Sequence, residues 1–85
     1  MEYHVYTVHD SKAEAYLQPF FFKNDAVALR GFKQLVNQDG HQFNTNPEDY
    51  TLVVIGEYDE TIGVLKSTDH RAIATGLQVK THDSE

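Results

Sequence analysis

The side chains able to do chemistry in this chain are histidines, carboxylates, and a run of aromatic rings beside a few cations. The five histidines are His4, His9, His41, His70 and His82. A metal site needs two or three converging ligands, and no His-Glu-x-x-His spacing occurs. On a strand, His4 and His9 point to opposite faces. Acids adjoin imidazoles at His9-Asp10, Asp69-His70 and His82-Asp83, but sequence neighbours rarely face one another. Ser11 and Ser67 lack the flanks of a nucleophile elbow. No set of nucleophile, base and orienting group emerges, so the expectation is a protein that is not an enzyme. Glu48, Asp49, Glu57, Asp59 and Glu60 lack the Asp-x-Asp-x-Asp-Gly pattern of a calcium loop, and turns favour these residue types. No metal and no cofactor is expected.

The segment Tyr16-Leu17-Gln18-Pro19-Phe20-Phe21-Phe22-Lys23 carries the most functional information. Single-stranded nucleic acid is held by exposed rings that stack on bases, beside cations. In strand geometry Tyr16, Phe20 and Phe22 share a face, and Leu17, Pro19 and Phe21 take the other. Lys23, Arg30 and Lys33 form the one candidate basic patch. The candidate nucleic-acid-binding residues are therefore Tyr16, Phe20, Phe22, Lys23, Arg30 and Lys33. The competing reading is that the rings fill a core or a subunit interface, which a domain this small needs for burial. The cations would then be a solvated helix face.

These residues must be positioned by a short list of elements. Tyr3 to Val8 is rich in β-branched and aromatic residues and predicts a strand. A second strand follows from Tyr16; Pro19 cannot donate to a ladder, so this strand lies at an edge or breaks there. Asn24 is a good N-cap, Asp25 suits the positive end of a helix, and Ala28, Leu29, Phe32, Leu35 and Val36 recur at helical spacing. The helix runs to Asn37. His41 to Asp49 is a polar loop with a turn at Asn46-Pro47. Tyr50 to Tyr58 contains the continuous apolar run Leu52-Val53-Val54-Ile55, which predicts a central strand covered on both faces. Asp59 to Gly63 is a hairpin loop, and Val64-Leu65-Lys66 returns as its partner. Arg71 to Ala74 is read as a helical turn, or Gly76 to Lys80 as a short strand. The fold class is α+β: a small antiparallel sheet with one helix packed on a face, in ββαββ order. Residues 1–66 form the single domain, and residues 67–85 a polar C-terminal tail that is ordered in part at most.

Composition bounds the rest. The chain has 85 residues, 40% hydrophobic and 12% aromatic, with no cysteine. That leaves room for one core, no disulfide framework and no thiolate metal site. The N-terminus lacks the basic start and long apolar run of a signal peptide, and no stretch reaches the roughly 18–20 residues of a membrane span. Thirteen acids against seven bases give a net charge of -6. Such a surface repels phosphate at long range and argues against a basic coat for nucleic acid. An edge strand around Pro19 and paired aromatics predict a homo-oligomer, a dimer or higher.

Asn46-Pro47-Glu48-Asp49-Tyr50-Thr51-Leu52, then Ile55-Gly56-Glu57-Tyr58-Asp59 and Gly63-Val64, resembles the small nonstructural protein of gokushovirus-type microviruses, single-stranded DNA phages. The front half agrees through Tyr3-His4-Val5-Tyr6, Asp10, Ala15, Pro19-Phe20, Asn24-Asp25, Ala28, Arg30 and Phe32. The likeness covers Met1 to Leu65; the tail from Ser67 carries none. It implies a nonstructural accessory protein in the host bacterial cytoplasm, binding single-stranded DNA in the switch from duplex replication to single-strand genome synthesis. The alternative is an acidic protein-interaction module that engages the phage replication initiator or a host replication protein.

Overall fold

The structure, a computed structural model, describes residues 2–81. His82 and Asp83, and the end of the expected tail, lie outside the described residues. Strand β1 is Glu2–Asp10, β2 is Ala15–Tyr16 and β3 is Phe20–Phe22. Helix α1 is Asp25–Val36, α2 is Gln42–Thr45, and a 3₁₀ turn covers Pro47–Asp49. Strand β4 is Tyr50–Asp59, β5 is Val64–Thr75, and α3 is Gly76–Val79. All strand pairs are antiparallel, in the order β2-β1-β4-β5, with β3 also on β1. The class is α+β, an antiparallel sheet with helices on a face.

Strands β2 and β3 are two pieces of the expected second strand. They lie on the outer side of β1, and the break falls at Leu17-Gln18-Pro19. Proline has no N–H for a ladder, which accounts for both the break and the edge position.

Helix α1 follows its sequence signals closely. The Asn24 side chain accepts from the Val27 N–H at 2.9 Å, and Asn37 closes the other end. Ala28, Phe32 and Val36 are buried against Tyr6, Val8, Leu52 and Val54 on one face of the sheet. Burying a phenylalanine such as Phe32 contributes up to about 3 kcal/mol.

Three features depart from the sequence reading. The expected polar loop at His41 contains α2, whose Phe43 is buried 5.7 Å from the Phe32 ring and 4.5 Å from the Tyr50 ring. The expected tail from Ser67 belongs to β5, which continues to Thr75. Finally, Arg71 to Ala74 is strand and Gly76 to Val79 is helix, the reverse of the expected assignment. The cause lies in the pairing of β5. Its register against β4 slips between Leu52 and Val53 and again between Val54 and Gly56, so its side chains show no period of two. An edge strand held by backbone hydrogen bonds needs no apolar alternation to form. The α3 turn is fixed by a capping box between Thr75 and Gln78.

Candidate nucleic-acid interface

Directly opposed residues of an antiparallel pair project to the same side. The β1 residues Tyr6 and Val8 project under α1, so Tyr3, Val5, Thr7 and His9 project to the other face. Their partners there are Tyr16 and Phe21 on one side, and Thr51, Val53, Gly56 and Tyr58 of β4 on the other. Strand β5 adds Leu65, Ser67, Ala72 and Thr75. None of these in-register residues is a carboxylate, although the chain carries a net charge of -6. Among the described residues no helix packs on this face.

Two ring clusters stand on it. Tyr16 is 52% exposed and lies between His9, at 4.6 Å, and His70, at 5.7 Å between centroids. Phe21 is 46% exposed and meets Tyr58 edge-on at 5.6 Å. Along β1 the partners of Tyr16 and Phe21 are His9 and Val5, about 13 Å apart at strand rise. Beside Phe21 is a hollow of about 430 Å³ bounded by Val5, Leu65, Lys66 and Ser67. Gly56 admits the close approach of β5: a Cβ there would come within 2.5 Å of the Lys66 carbonyl oxygen.

The six residues singled out from sequence do not converge. Tyr16 stands on the open face, whereas Phe20 and Phe22 turn under the helix side. Their rings lie 5.6 Å apart, and 6.1 and 6.2 Å from the buried Tyr6 ring. Lys23 sits in the turn before α1, and Arg30 and Lys33 are exposed on α1, across the sheet from Tyr16. None of these three cations joins an ion pair among the described residues.

The separation of Phe20 and Phe22 from Tyr16 has one cause, a slip of one residue at the break. In β2 the pairing is His9 with Tyr16; in β3 it is Tyr6 with Phe20. An unbroken strand in the β2 register would set Phe20 opposite Val5, on the open face. The slip puts Phe21 there instead, because one residue of shift exchanges the faces of a strand. The connection that makes it is tied down: the Leu17 N–H donates to Val8 O at 2.9 Å, and the Thr7 hydroxyl donates to Leu17 O at 2.6 Å. Phe21 was thus missed; Tyr58, His9 and His70 join Tyr16 and Phe21 only through the pairing of the sheet. Pro19 was the available signal, since alternation need not carry across a proline.

On the helix side, Asp25 links three elements. Its carboxylate accepts from the Tyr6 hydroxyl at 2.7 Å and from Arg71 at 2.9 Å. The Tyr6 hydrogen bond, then Arg71, hold Asp25 below the usual carboxylate range. Burial and the same hydrogen bond keep Tyr6 protonated well above the ordinary tyrosine range. The arrangement fastens the start of α1 to β1 and β5 and places no nucleophile beside a base. His41 is occupied in accepting from the Phe43 N–H at 3.0 Å. Among the described residues no three His, Asp or Glu side chains gather into a group that could hold a metal ion.

Fold and surface define a small α+β domain that has helices on one sheet face and exposed rings on the other. The chain belongs to the Phage ORF5 protein family, whose family model matches residues 3–79, and it is therefore a phage protein. A search of curated proteins and one of solved structures return no match. No helix of the described residues is long and apolar enough to cross a membrane.

Proposed function

We propose that this phage protein is a non-enzymatic accessory protein that binds single-stranded DNA on the helix-free face of its sheet. The observation that carries the reading is a sheet face bearing half-exposed rings and no in-register carboxylate, on an otherwise acidic chain. Stacking on Tyr16 and Phe21 supplies about 1–3 kcal/mol per base, independent of sequence. A sheet that presents aromatic side chains to unpaired bases is a recurring solution to this task. Lys66 is the cation that lines the hollow, so phosphate neutralisation is small and binding depends only weakly on salt, with a slope near -0.7 per phosphate contacted. The resemblance to gokushovirus-type microviruses supports an activity in the host cytoplasm, at the switch to single-strand genome synthesis.

The test is fluorescence anisotropy with a labelled single-stranded oligonucleotide at low salt. Micromolar protein should bind, and Tyr16→Ala with Phe21→Ala should weaken binding about tenfold or more per ring. Absence of binding by the unaltered protein would end this reading. The competing interaction module would then be favoured by capture of the replication initiator or a host replication protein that survives nuclease treatment.

A further inference from the structure

The helix-free face is hollowed rather than flat. Thr7 and Val53 project to it, yet they are only 1% and 7% exposed, while Tyr16 beside them stands half in solvent. Tyr16 belongs to β2 and His70 to β5, the first and last strands of the order β2-β1-β4-β5. In a flat sheet three strand spacings would hold their backbones about 14 Å apart, with the side chains parallel. Their rings instead meet edge-on at 72°, with centroids 5.7 Å apart. The sheet therefore coils toward this face until its two edges touch. The row Thr7–Val53–Ala72 crosses the sheet between them: Tyr16 lies opposite His9, two residues past Thr7, and His70 lies two residues before Ala72.

The two walls of this hollow are held differently. Tyr16 is backed by the His9 ring at 4.6 Å, its partner in the ladder. His70 lies where β5 has two residues more than β4. Val54 pairs with Arg71 and Gly56 with Ser67, so Thr68, Asp69 and His70 stand opposite Ile55 alone. His70 can thus shift away from Tyr16 without breaking a register pair. Its imidazole touches the Tyr16 ring and, among the described residues, joins no side-chain hydrogen bond or ion pair. The acids next to the two imidazoles in sequence stay out of the hollow. Asp10 accepts from the N–H groups of Lys12 and Ala13, at 3.0 and 3.2 Å, and Asp69 alternates to the other face.

We infer that Tyr16 and His70 are the two walls of a slot for one unpaired nucleobase, closed on each other in the free protein and parted by the base. The inference rests on the reading of this face as a surface for single-stranded DNA. It adds that one base is held between two rings rather than laid on one. The base replaces an edge-on contact between two half-solvated rings and gains a stacking partner on each side. A paired base has both faces covered by its neighbours and must first be pulled from the duplex, so the slot selects single strands.

Two measurements test the slot. In the free protein, Tyr16→Ala should move the NMR signals of the His70 imidazole protons, because it removes the ring beside them. Signals that stay in place overturn the closed contact. Binding is read by fluorescence anisotropy with labelled oligothymidine and with a duplex of the same length. His70→Ala should weaken oligothymidine binding about tenfold, and His70→Phe should restore it, since stacking needs only a flat ring. The duplex should bind weakly to all three proteins. His70 is exposed, so both variants should keep the circular dichroism of the unaltered protein. If Tyr16→Ala weakens binding and His70→Ala does not, the slot is overturned while the reading of the face stands. If His70→Phe behaves as His70→Ala, the imidazole serves a phosphate rather than a base, and the slot is overturned likewise. An unaltered protein that fails to bind oligothymidine overturns the reading of the face and the slot with it.

Discussion

On one face of the sheet, Tyr6, Val8, Leu52 and Val54 lie beneath α1 and are sealed from solvent. On the other, β2 and β3 hold up Tyr16 and Phe21, each about half exposed. The difference sorts the rings by where they stand. A chain of 85 residues has material for one long helix, and that helix closes one face. Rings on the closed face stabilise the fold. Rings on the open face are left over from burial and are the ones free to meet a ligand. Aromatic content alone cannot separate the two groups; their position relative to α1 does.

Substitution can break that distinction. Phe32→Ala, on the closed side, should have the largest effect, destabilising the protein by about 3–5 kcal/mol in denaturant titration. Its oligonucleotide affinity should persist where the variant remains folded. Phe21→Ala should do the reverse, costing about 1–3 kcal/mol of binding to single-stranded DNA while the unfolding midpoint moves little. A Phe21 variant that unfolds readily but binds normally would reverse the assignment of the faces.

Asp25→Asn comes next. Its carboxylate is partly exposed, so solvent screening limits the loss to about 1 kcal/mol at neutral pH. The pH dependence has a definite sign. Asp25 is lowered in the folded state, so its contribution is complete above the unfolded aspartate value of about 3.9 and fades as pH falls through the folded value. The gap between the unaltered and Asn proteins should therefore hold at pH 6 and close in acid. Tyr6 is raised instead, so its contribution holds below about pH 10 and declines above it. Urea titrations across this range check both limbs. The smallest effect is expected from Arg30→Glu with Lys33→Glu: stability within about 0.5 kcal/mol and DNA affinity within about twofold, since both lie on the helix side. A large loss of DNA binding here would move the interface onto α1.

Much of the closed face was legible in the sequence. Asn24 and the Ala28, Phe32, Val36 spacing marked α1 almost to the residue, and the run Leu52 to Ile55 marked β4 as a central strand, although helices cover one of its faces and not both as expected. Both signals are local and periodic. The open face was less legible because its composition depends on register. Tyr16 was found, while Phe20 and Phe22 were assigned its face through an alternation that stops at Pro19. Strand β5 hid for a related reason, since its two register slips erase the alternation that advertises a strand. Phe43 gave no periodic signal at all; its helix is held by contact with Phe32 and Tyr50.

The connection Leu17-Gln18-Pro19 has a consequence for how this protein can change over time. The register slip that it carries is one surplus residue. Removing one residue would bring β3 into step with β2 and leave each ring on its present face, with Phe21 still opposite Val5 and Phe20 still opposite Tyr6. Related chains should therefore be able to lose one residue between Tyr16 and Phe20 without exchanging the faces of β3.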